Sequence, residues 1–432
     1  MEKNSVINRL PRLSAVHSMK DIPSAAHALS PGAHCPLFGS MLVIQRIQDS
    51  VMLVVGPAEC CFYLKKKASQ YADFGGAAGR CAVLTLDAHD IAFGFHDKLA
   101  QTVDTVVEEY SPRAIFIVTT CSVEIIGEDV DSIAQAASER HGLPILPLHT
   151  EHFTCDSHMP GMERAMAVCA NMMQVQPRGK KVNLLGYRAG IYENTELYAF
   201  LTKAGIGTAL RLPGKCTTEE IIQAPGASLN IVVNSFALPL AREMERRFGT
   251  PYVDFRKHLS PQYVLEQYEL LFHLLELPLP EEIRKSAQDA DDQIRMLRPK
   301  LERISYLYGN TPFQGMEFNA FLVSLGMRPL VLQISDWEDA ERYIPQILKA
   351  ADPYVTHSAD TIPVQLLYHE LHPQICFGHE FLPTQYHSGM AMVKSSGCGK
   401  LLGFEACVSM IQEILSAVSR IDAKGGADSY GI

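Results

Sequence analysis

The sequence predicts an α/β protein of three Rossmann-like domains, each with a parallel sheet, arranged around a central cleft. Two observations support this fold class. Short apolar runs alternate with segments of helical periodicity, which is typical of parallel strands joined by crossover helices. In addition, the order of strand, turn and helix begins afresh twice along the chain, and 432 residues are too many for one ordinary hydrophobic core.

The three domains are expected between a polar extension at the N-terminus and a helix at the C-terminus. Residues 1–30 are interrupted by prolines, and the segment 281–300 carries alternating charge that suits an exposed helix. The expected segments are the extension at 1–30, the first domain at 31–170, the second domain at 171–280, the helical connector at 281–300, the third domain at 301–400, and the C-terminal helix with its tail at 401–432.

In the first domain, four apolar runs predict strands, and the more polar segments between them predict helices. The strands are expected at 50–55, 81–86, 114–118 and 143–148, and the helices near Lys65, at 96–110 and at 130–140. Each helix would carry the chain back across the sheet to begin another parallel strand.

The same alternation continues through the rest of the chain, so all three domains are expected to share one construction. The second domain is expected to have strands at 180–186, 208–212 and 229–233 and a helix at 196–204. The third is expected to open with a strand at 302–309, followed by a helix at 316–325, a strand at 329–333 and a final helix from Gly403 to about Ser419.

Composition and charge exclude several classes of protein. The net charge of −10 argues against a general nucleic-acid binder, and the run Lys65–Lys67 is expected to be a solvated helix face. The N-terminus lacks the apolar core of a secretory signal, and no stretch of about eighteen apolar residues offers a membrane span. We therefore expect a cytoplasmic protein whose eleven cysteines serve as thiols or metal ligands and not as a disulfide framework.

Three cysteines in the first domain are candidate metal ligands. Cys35, Cys60 and Cys121 each lie beside a short turn at the edge of an apolar run, so thiols far apart in sequence can converge in space. Converging thiolates suggest a metal site, and soft sulfur ligands suit an iron–sulfur cluster or zinc.

The segments around these cysteines resemble those of the nitrogenase component 1 superfamily: CPLFGS at 35–40, GPAECC at 56–61 and TTCSVEIIGED at 119–129. That superfamily comprises the molybdenum–iron protein subunits, their cofactor-assembly homologues, and the dark-operative protochlorophyllide and chlorophyllide reductases. The separation of Cys35 from Cys60, together with the third segment, looks most like the nitrogenase β-type subunit. CPLFGS followed by a Cys-Cys pair is also similar to one chlorophyllide reductase subunit.

The resemblance implies that Cys35, Cys60 and Cys121 bind an iron–sulfur cluster, of the [4Fe-4S] or P-cluster-like type, that is shared with a partner subunit. The partner would be a homologous sister chain in a heterodimer or heterotetramer. Electrons would come from a separate dimeric ATP-hydrolysing iron–sulfur reductase. The adjacent Cys61 is expected to point away from the cluster, and Gly39 is expected to allow a close backbone approach to it.

A second, catalytic cluster is not expected on this chain. In the α-type subunit that the superfamily contains, the large cofactor is held by one cysteine after a strand of the middle domain and by one histidine shortly before the C-terminal helix. This chain has Asn234 at the first place and no histidine in the segment 394–400. It therefore departs from the α-type pattern and is not expected to reduce dinitrogen by itself.

Other candidate ligands also suit ordinary structural roles. His379, His387 and Cys398 lie upstream of the C-terminal helix, and whether they contact a ligand stays open. A run of possible zinc ligands follows the strand predicted at 143–148, although it lacks paired Cys-x-x-Cys spacing; its members are His149, His152, Cys155 and His158.

The function that these patterns favour is that of a β-like subunit of a nitrogenase-like reductase, with an interface cluster that relays electrons to a substrate or cofactor site. The substrate stays open. The chain has no phosphate-binding loop and no complete dinucleotide-binding fingerprint, so it is not expected to hydrolyse ATP or bind NAD. One alternative is a scaffold subunit on which nitrogenase cofactor is assembled, and a third hypothesis is an independent zinc protein.

Overall fold

The computed structural model divides the chain into two compact units. The cysteine unit is formed by Ala33–Arg188 and Leu201–Arg256, and the C-terminal unit by Met1–Gly32, Ala189–Phe200 and Lys257–Ile432. The structure describes residues 6–23, 35–70, 78–151, 157–188, 190–256, 259–308, 315–334, 337–357, 367–378, 390–393 and 400–424.

The strands of the described residues fall into three sheets. The strands are β1 (Ser50–Gly56), β2 (Cys81–Thr85), β3 (Ala114–Thr119), β4 (Ile145–Leu148), β5 (Val182–Leu185), β6 (Thr208–Leu212), β7 (Leu229–Val232), β8 (Tyr252–Asp254), β9 (Ser305–Tyr308), β10 (Arg328–Ile334), β11 (Tyr354–His357), β12 (Ile375–Phe377) and β13 (Ala391–Val393).

The α-helices lie between and around these strands. They are α1 (Pro36–Ile44), α2 (Ala58–Gln70), α3 (Ala88–Phe93), α4 (His96–Tyr110), α5 (Cys121–Ile126), α6 (Val130–His141), α7 (Met159–Val168), α8 (Glu196–Lys203), α9 (Thr218–Gln223), α10 (Leu238–Phe248), α11 (Pro261–Leu274), α12 (Glu281–Leu297), α13 (Met316–Ser324), α14 (Trp337–Glu341), α15 (Ile344–Leu348), α16 (Tyr368–Leu371) and α17 (Phe404–Lys424). Within the described part of the chain, no helix combines the length and apolar character that a membrane crossing requires.

All three sheets are parallel, and the predicted α/β fold class is therefore confirmed. The cysteine unit contains two four-stranded sheets, in the orders β2-β1-β3-β4 and β6-β5-β7-β8. The C-terminal unit contains one five-stranded sheet in the order β11-β10-β9-β12-β13. Successive parallel strands are joined by crossover helices, as the alternating pattern predicts; α2, for example, leads from β1 to β2.

The first sheet holds the candidate site because its two central strands are continuous apolar runs. Every residue of β1 and of β3 is buried, as expected for strands covered on both faces. Leu53 of β1 and Ile117 of β3 belong to one apolar core that also includes Val123 of α5. In open parallel sheets, ligands bind beyond the carboxyl ends of such central strands.

Helix α1 was not predicted, and its composition explains why. Pro36 occupies its first position and all nine residues are buried, so it has no polar face from which helical periodicity could be recognised. A side chain on Gly39 would place its Cβ 1.9 Å from the carbonyl oxygen of His158, at the start of α7, and one on Gly161 of α7 would place its Cβ 1.8 Å from the oxygen of Pro36. The close approach expected at Gly39 is thus made to a helix of the same chain.

In the C-terminal unit, the N-terminal segment pairs with the edge of the five-stranded sheet. Arg12 forms an antiparallel bridge with Tyr354 of β11, and its guanidinium lies 3.6 Å from the centre of the Tyr354 ring. Ser14 Oγ donates to the carboxylate of Asp352 at 2.7 Å. The segment therefore covers backbone groups that an edge strand would otherwise expose.

Candidate metal centre

The three predicted cysteine ligands all lie at the beginnings of helices in the cysteine unit. Cys35 is the N-cap of α1, Cys60 is in the first turn of α2, and Cys121 is the first residue of α5. Helix α2 follows β1 and helix α5 follows β3, and these strands are hydrogen-bonded neighbours. Because parallel strands end at one edge of a sheet, the Cys60 and Cys121 loops lie side by side.

Exposure separates these three cysteines from the others that the structure describes. The described cysteines are all free thiols, and Cys35, Cys60 and Cys121 are the ones among them that are partly exposed. The buried ones are Cys61, Cys81, Cys169, Cys216, Cys376 and Cys407. A buried thiol is an inert small apolar group, whereas a partly exposed thiol can bind a metal or react.

The electrostatics of Cys60 indicate that the three thiols are neighbours. Burial raises the pKa of the Cys60 thiol, and the charges of Cys121, Cys35 and Glu59 raise it further. The amino ends of α1 and α2 favour negative charge, which offsets part of this repulsion. A cationic metal group among the three sulfurs would offset the rest, so the donor set suits thiolate ligation.

Cys61 points into the core and not toward the other thiols. Its side chain is 2% exposed, and its Sγ lies 3.5 Å from the carbonyl oxygen of Gly56 and 3.8 Å from that of Leu84. Burial raises the pKa of the Cys61 thiol to about 11. The orientation expected for the two adjacent cysteines is therefore the one that the structure has.

Gly56 allows the Cys60 and Cys121 loops to come together. A Cβ at this position would lie 2.2 Å from Oγ1 of Thr120, the residue before Cys121. The backbone N–H of Thr120 also donates to the carbonyl of Val55 at 3.1 Å. The absence of a side chain on Gly56 therefore sets the distance between the two loops.

Glu124, which the sequence reasoning did not single out, anchors the Cys121 helix. Its carboxylate accepts hydrogen bonds from Thr119 Oγ1 at 2.7 Å, from the backbone N–H of Glu151 at 2.7 Å, and from the backbone N–H of Thr150. The acidic residue three positions after Cys121 was visible in the sequence. Its partners after β4, Thr150 and Glu151, could not be recognised in the sequence because they are distant along the chain.

A basic residue of α7 extends this anchor. Arg164 donates to the carbonyl oxygen of Thr150, and to the carboxylate of Glu151 at 2.7 Å. Helix α7 also packs closely on α1, whose N-cap is Cys35. The same helix therefore supports both the Cys35 and the Cys121 segments.

The other acidic residues of the third motif stabilise helices. Glu128 Oε2 accepts from the backbone N–H of Phe95, the N-cap of α4, at 2.9 Å. Asp129 caps α6 by accepting from the backbone N–H of Ser132 at 3.0 Å and from its hydroxyl at 2.6 Å. These hydrogen bonds from Ser132 lower the pKa of the Asp129 carboxyl.

The remaining candidate ligands do not form a metal site in the described residues. His149 pairs with Asp131 at 2.8 Å, and the ring of His158 packs edge-on against Phe38 at 5.9 Å. The other five candidates lie outside the described residues: His152, Cys155, His379, His387 and Cys398.

Across the part of the chain that the structure describes, no group of three or more histidine, cysteine or acidic side chains is close enough to hold a single metal ion. Cys35, Cys60 and Cys121 are among these side chains. A polynuclear cluster spreads its thiolate ligands over several iron atoms and so needs a wider arrangement than one ion does.

Comparison with known proteins gives a consistent result. A profile of the family described as nitrogenase component 1 type oxidoreductase matches residues 35–418. The nitrogenase iron-molybdenum cofactor biosynthesis protein NifE of Clostridium pasteurianum is 29% identical over 54% of this chain and 52% of that protein. The nitrogenase molybdenum-iron protein alpha chain of Methanosarcina barkeri is 28% identical over 72% of this chain and 62% of that protein.

A NifE protein of Methanosarcina barkeri is 25% identical over 74% of both chains. The chain spans only about half the length of several of the NifE proteins that it matches. Among solved structures, nitrogenase Cp1 at pH 6.5 superimposes with a TM-score of 0.79 at 14% identity, covering 97% of this chain and 99% of that one. At such low identity the likeness shows the fold alone.

Proposed function

Since this chain belongs to the nitrogenase component 1 type oxidoreductases, we propose that it is a subunit of a nitrogenase-like reductase in which Cys35, Cys60 and Cys121 bind an iron–sulfur cluster. The observation that carries the proposal is exposure: these three thiols are partly exposed, whereas the other described cysteines are buried. When bound, the cluster would accept single electrons from a separate ATP-hydrolysing reductase and pass them toward a substrate or cofactor site.

The three cysteines would bind the cluster from one side. Each supplies one thiolate, and the anchor formed by Glu124 and Arg164 holds two of the supporting segments in place. Three thiolates from one chain leave a cluster incompletely ligated, because [4Fe-4S] clusters take four. We therefore propose that a homologous sister subunit supplies the remaining ligands, so that binding the cluster also stabilises the heterodimer or heterotetramer.

We propose a β-like role for this chain within the pair. Asn234 follows β7, where a cysteine of the α-type cofactor site would stand, and a carboxamide is a poor ligand for iron in a sulfur-rich cluster. The substrate or cofactor site of the complex would then lie mainly in the sister subunit.

Exposed apolar side chains beside the cysteines support the proposal of a partner surface. Phe62 follows Cys60 on α2 and is 70% exposed, and Ile125 follows Cys121 on α5 and is 74% exposed. Phe93, at the end of α3, is 79% exposed and lies beyond the carboxyl end of β2 in the same sheet. Large apolar residues near one edge of a sheet are typical of a protein–protein interface.

A scaffold for nitrogenase cofactor assembly is the second candidate. The observation in its favour is that several similar proteins are nitrogenase iron-molybdenum cofactor biosynthesis proteins. The described cysteine site suits either role, because both a reductase and a scaffold would hold a cluster between two subunits.

The first test is the metal content of the complex purified without oxygen. The proposal predicts iron and acid-labile sulfide in similar amounts and an electron paramagnetic resonance signal after reduction. Zinc without iron would favour the independent zinc protein and contradict the proposal.

A second measurement separates reductase from scaffold. The complex is mixed with its ATP-hydrolysing reductase, and dithionite oxidation is followed with and without small candidate substrates. Oxidation that depends on an added substrate supports the reductase. Transfer of a preformed cluster to another apoprotein, with no substrate-dependent oxidation, supports the scaffold.

A further inference from the structure

Thr120 is placed as a helix N-cap but does not act as one. It immediately precedes α5 with an extended backbone, φ −91° and ψ 163°, and its side chain makes no capping hydrogen bond. Threonine at an N-cap ordinarily accepts a hydrogen bond from a backbone N–H in the first turn. Here the side chain is turned away from the helix that follows it.

The Thr120 hydroxyl is also buried without a partner. Thr120 is 2% exposed, and Oγ1 has no hydrogen-bond partner among the residues that the structure describes. The side chain packs on Gly56, where a Cβ would lie 2.2 Å from Oγ1. Thr120 therefore sits between the loop that leads to Cys60 and the helix that begins at Cys121. A buried hydroxyl without a partner is uncommon, because nearly all buried polar groups are hydrogen-bonded.

We propose that the Thr120 hydroxyl donates a hydrogen bond to a sulfur atom of the cluster bound by Cys35, Cys60 and Cys121, either a bridging sulfide or a ligating thiolate. This inference rests on the proposed function, since it requires that a cluster is bound there. It assigns Thr120 as a positioning and tuning residue that holds no iron itself.

The expected consequence is a higher reduction potential. Hydrogen bonds to cluster sulfurs are one of the means by which proteins tune iron–sulfur potentials. A reduced cluster carries one more negative charge than an oxidised one, so a donated hydrogen bond stabilises the reduced form more strongly. The hydroxyl would thus make this cluster easier to reduce.

Two variants separate the hydroxyl from the shape of the side chain. Thr120→Val keeps the volume and branching but removes the donor, and Thr120→Ser keeps the donor but removes the methyl group. The midpoint potential of each is measured by redox titration of the intact complex, followed by electron paramagnetic resonance. We expect T120V to lower the midpoint potential by about 59 mV, which for a one-electron couple is about a tenfold fall in the reduced-to-oxidised ratio at the parent midpoint. The midpoint potential of T120S should stay close to that of the parent.

An unchanged midpoint in T120V would overturn the inference and would favour a buried water or plain packing on Gly56. An equal shift in T120S would also overturn it, because the cause would then be packing. If T120V does not retain iron, the midpoint potential is measured in Thr120→Ala, which also removes the donor but adds no bulk. Iron loss from both T120V and T120A with full retention in T120S supports the inference, and loss from all three contradicts it. A parent complex without iron contradicts the proposed function instead.

Discussion

The carboxylate of Glu124 accepts a hydrogen bond from the backbone N–H of Glu151, with 2.7 Å between Oε2 and N. Glu124 lies on α5 three residues after Cys121, whereas Glu151 follows β4. The other carboxylate oxygen accepts from Thr119 Oγ1 at the end of β3. One side chain therefore connects a candidate cluster ligand to the ends of two neighbouring strands.

Glu124→Gln is expected to loosen this connection. The amide keeps one acceptor but turns an NH₂ donor toward backbone N–H groups, and removing a charged acceptor from such a site costs about 1–3 kcal/mol. We predict a lower free energy of unfolding in urea and a partial loss of iron from the purified complex. Glu139→Gln is the control, since Glu139 is an exposed residue of α6 whose carboxylate accepts a hydrogen bond from the Gln135 side chain. Equal stability and iron content in E124Q and E139Q would contradict the assignment.

Gly56→Ala is expected to push the two cysteine loops apart. The new Cβ would lie 2.2 Å from Thr120 Oγ1, and overpacking of this kind costs about 1–3 kcal/mol. We predict reduced thermal stability together with loss of iron. Gly79→Ala is the matched control, because a Cβ there would have no heavy atom within 4 Å. Iron binding in G56A at the level of the parent would show that the distance between the loops is not critical.

The central strands were predictable because their signal is local. β1 and β3 are apolar runs that end in turns, and the expected bounds of 50–55 and 114–118 differ from the observed ones by a single residue. Helix α1 was hidden because it is apolar on all sides, and α5 because a single short turn has too few residues to show periodicity.

The candidate site was predictable only in part. The identities of Cys35, Cys60 and Cys121 followed from the motifs, but their exposure, and their position at helix starts, required the fold. Glu124 and Thr120 were missed for a physical reason. Their roles depend on contacts with residues that other strands bring close, and no local pattern records such contacts.

In the C-terminal unit, Glu196 is expected to make stability depend on pH. Its Oε1 accepts from the Tyr268 hydroxyl at 3.1 Å and from the backbone N–H of Phe404, at the start of α17, at 3.1 Å. Burial raises the pKa of the Glu196 carboxyl to about 7, the nearby charge of Glu405 also raises it, and the two hydrogen bonds oppose the shift.

The sign of the pH effect follows from this raised pKa. The carboxyl binds a proton more tightly in the folded chain than in the unfolded chain, where its pKa is near 4.5. Its contribution to stability is fully present below pH 4.5 and is lost as the pH rises through about 7. We predict that Glu196→Gln flattens this part of the urea-unfolding profile, whereas Glu266→Gln, on the exposed face of α11, leaves it unchanged. A parent profile that is already flat over this range would contradict the prediction.

Phe93 is expected to contact a partner protein and not the cluster. Phe93→Ser should keep the iron content of the parent, because no cysteine ligand changes. It should weaken association with the proposed ATP-hydrolysing reductase by a few-fold to a hundredfold, because loss of an aromatic interface residue commonly costs about 1–3 kcal/mol. Val175→Ser is the control, since Val175 is 82% exposed on another part of the unit. Unchanged affinity in F93S, measured by titration of electron transfer against reductase concentration, would remove this residue from the proposed surface.

The most direct test of the cluster assignment compares two adjacent cysteines. Cys60 is partly exposed beside Cys35 and Cys121, whereas Cys61 lies in the core with its sulfur near the carbonyl of Gly56. Iron and sulfide are measured in anaerobically purified complexes that carry Cys60→Ala, Cys121→Ala or Cys61→Ala. We predict that C60A and C121A lose most of their iron and that their subunits separate, while C61A keeps its iron and stays assembled. Full iron content in C60A or C121A, in a complex that stays assembled, would contradict it.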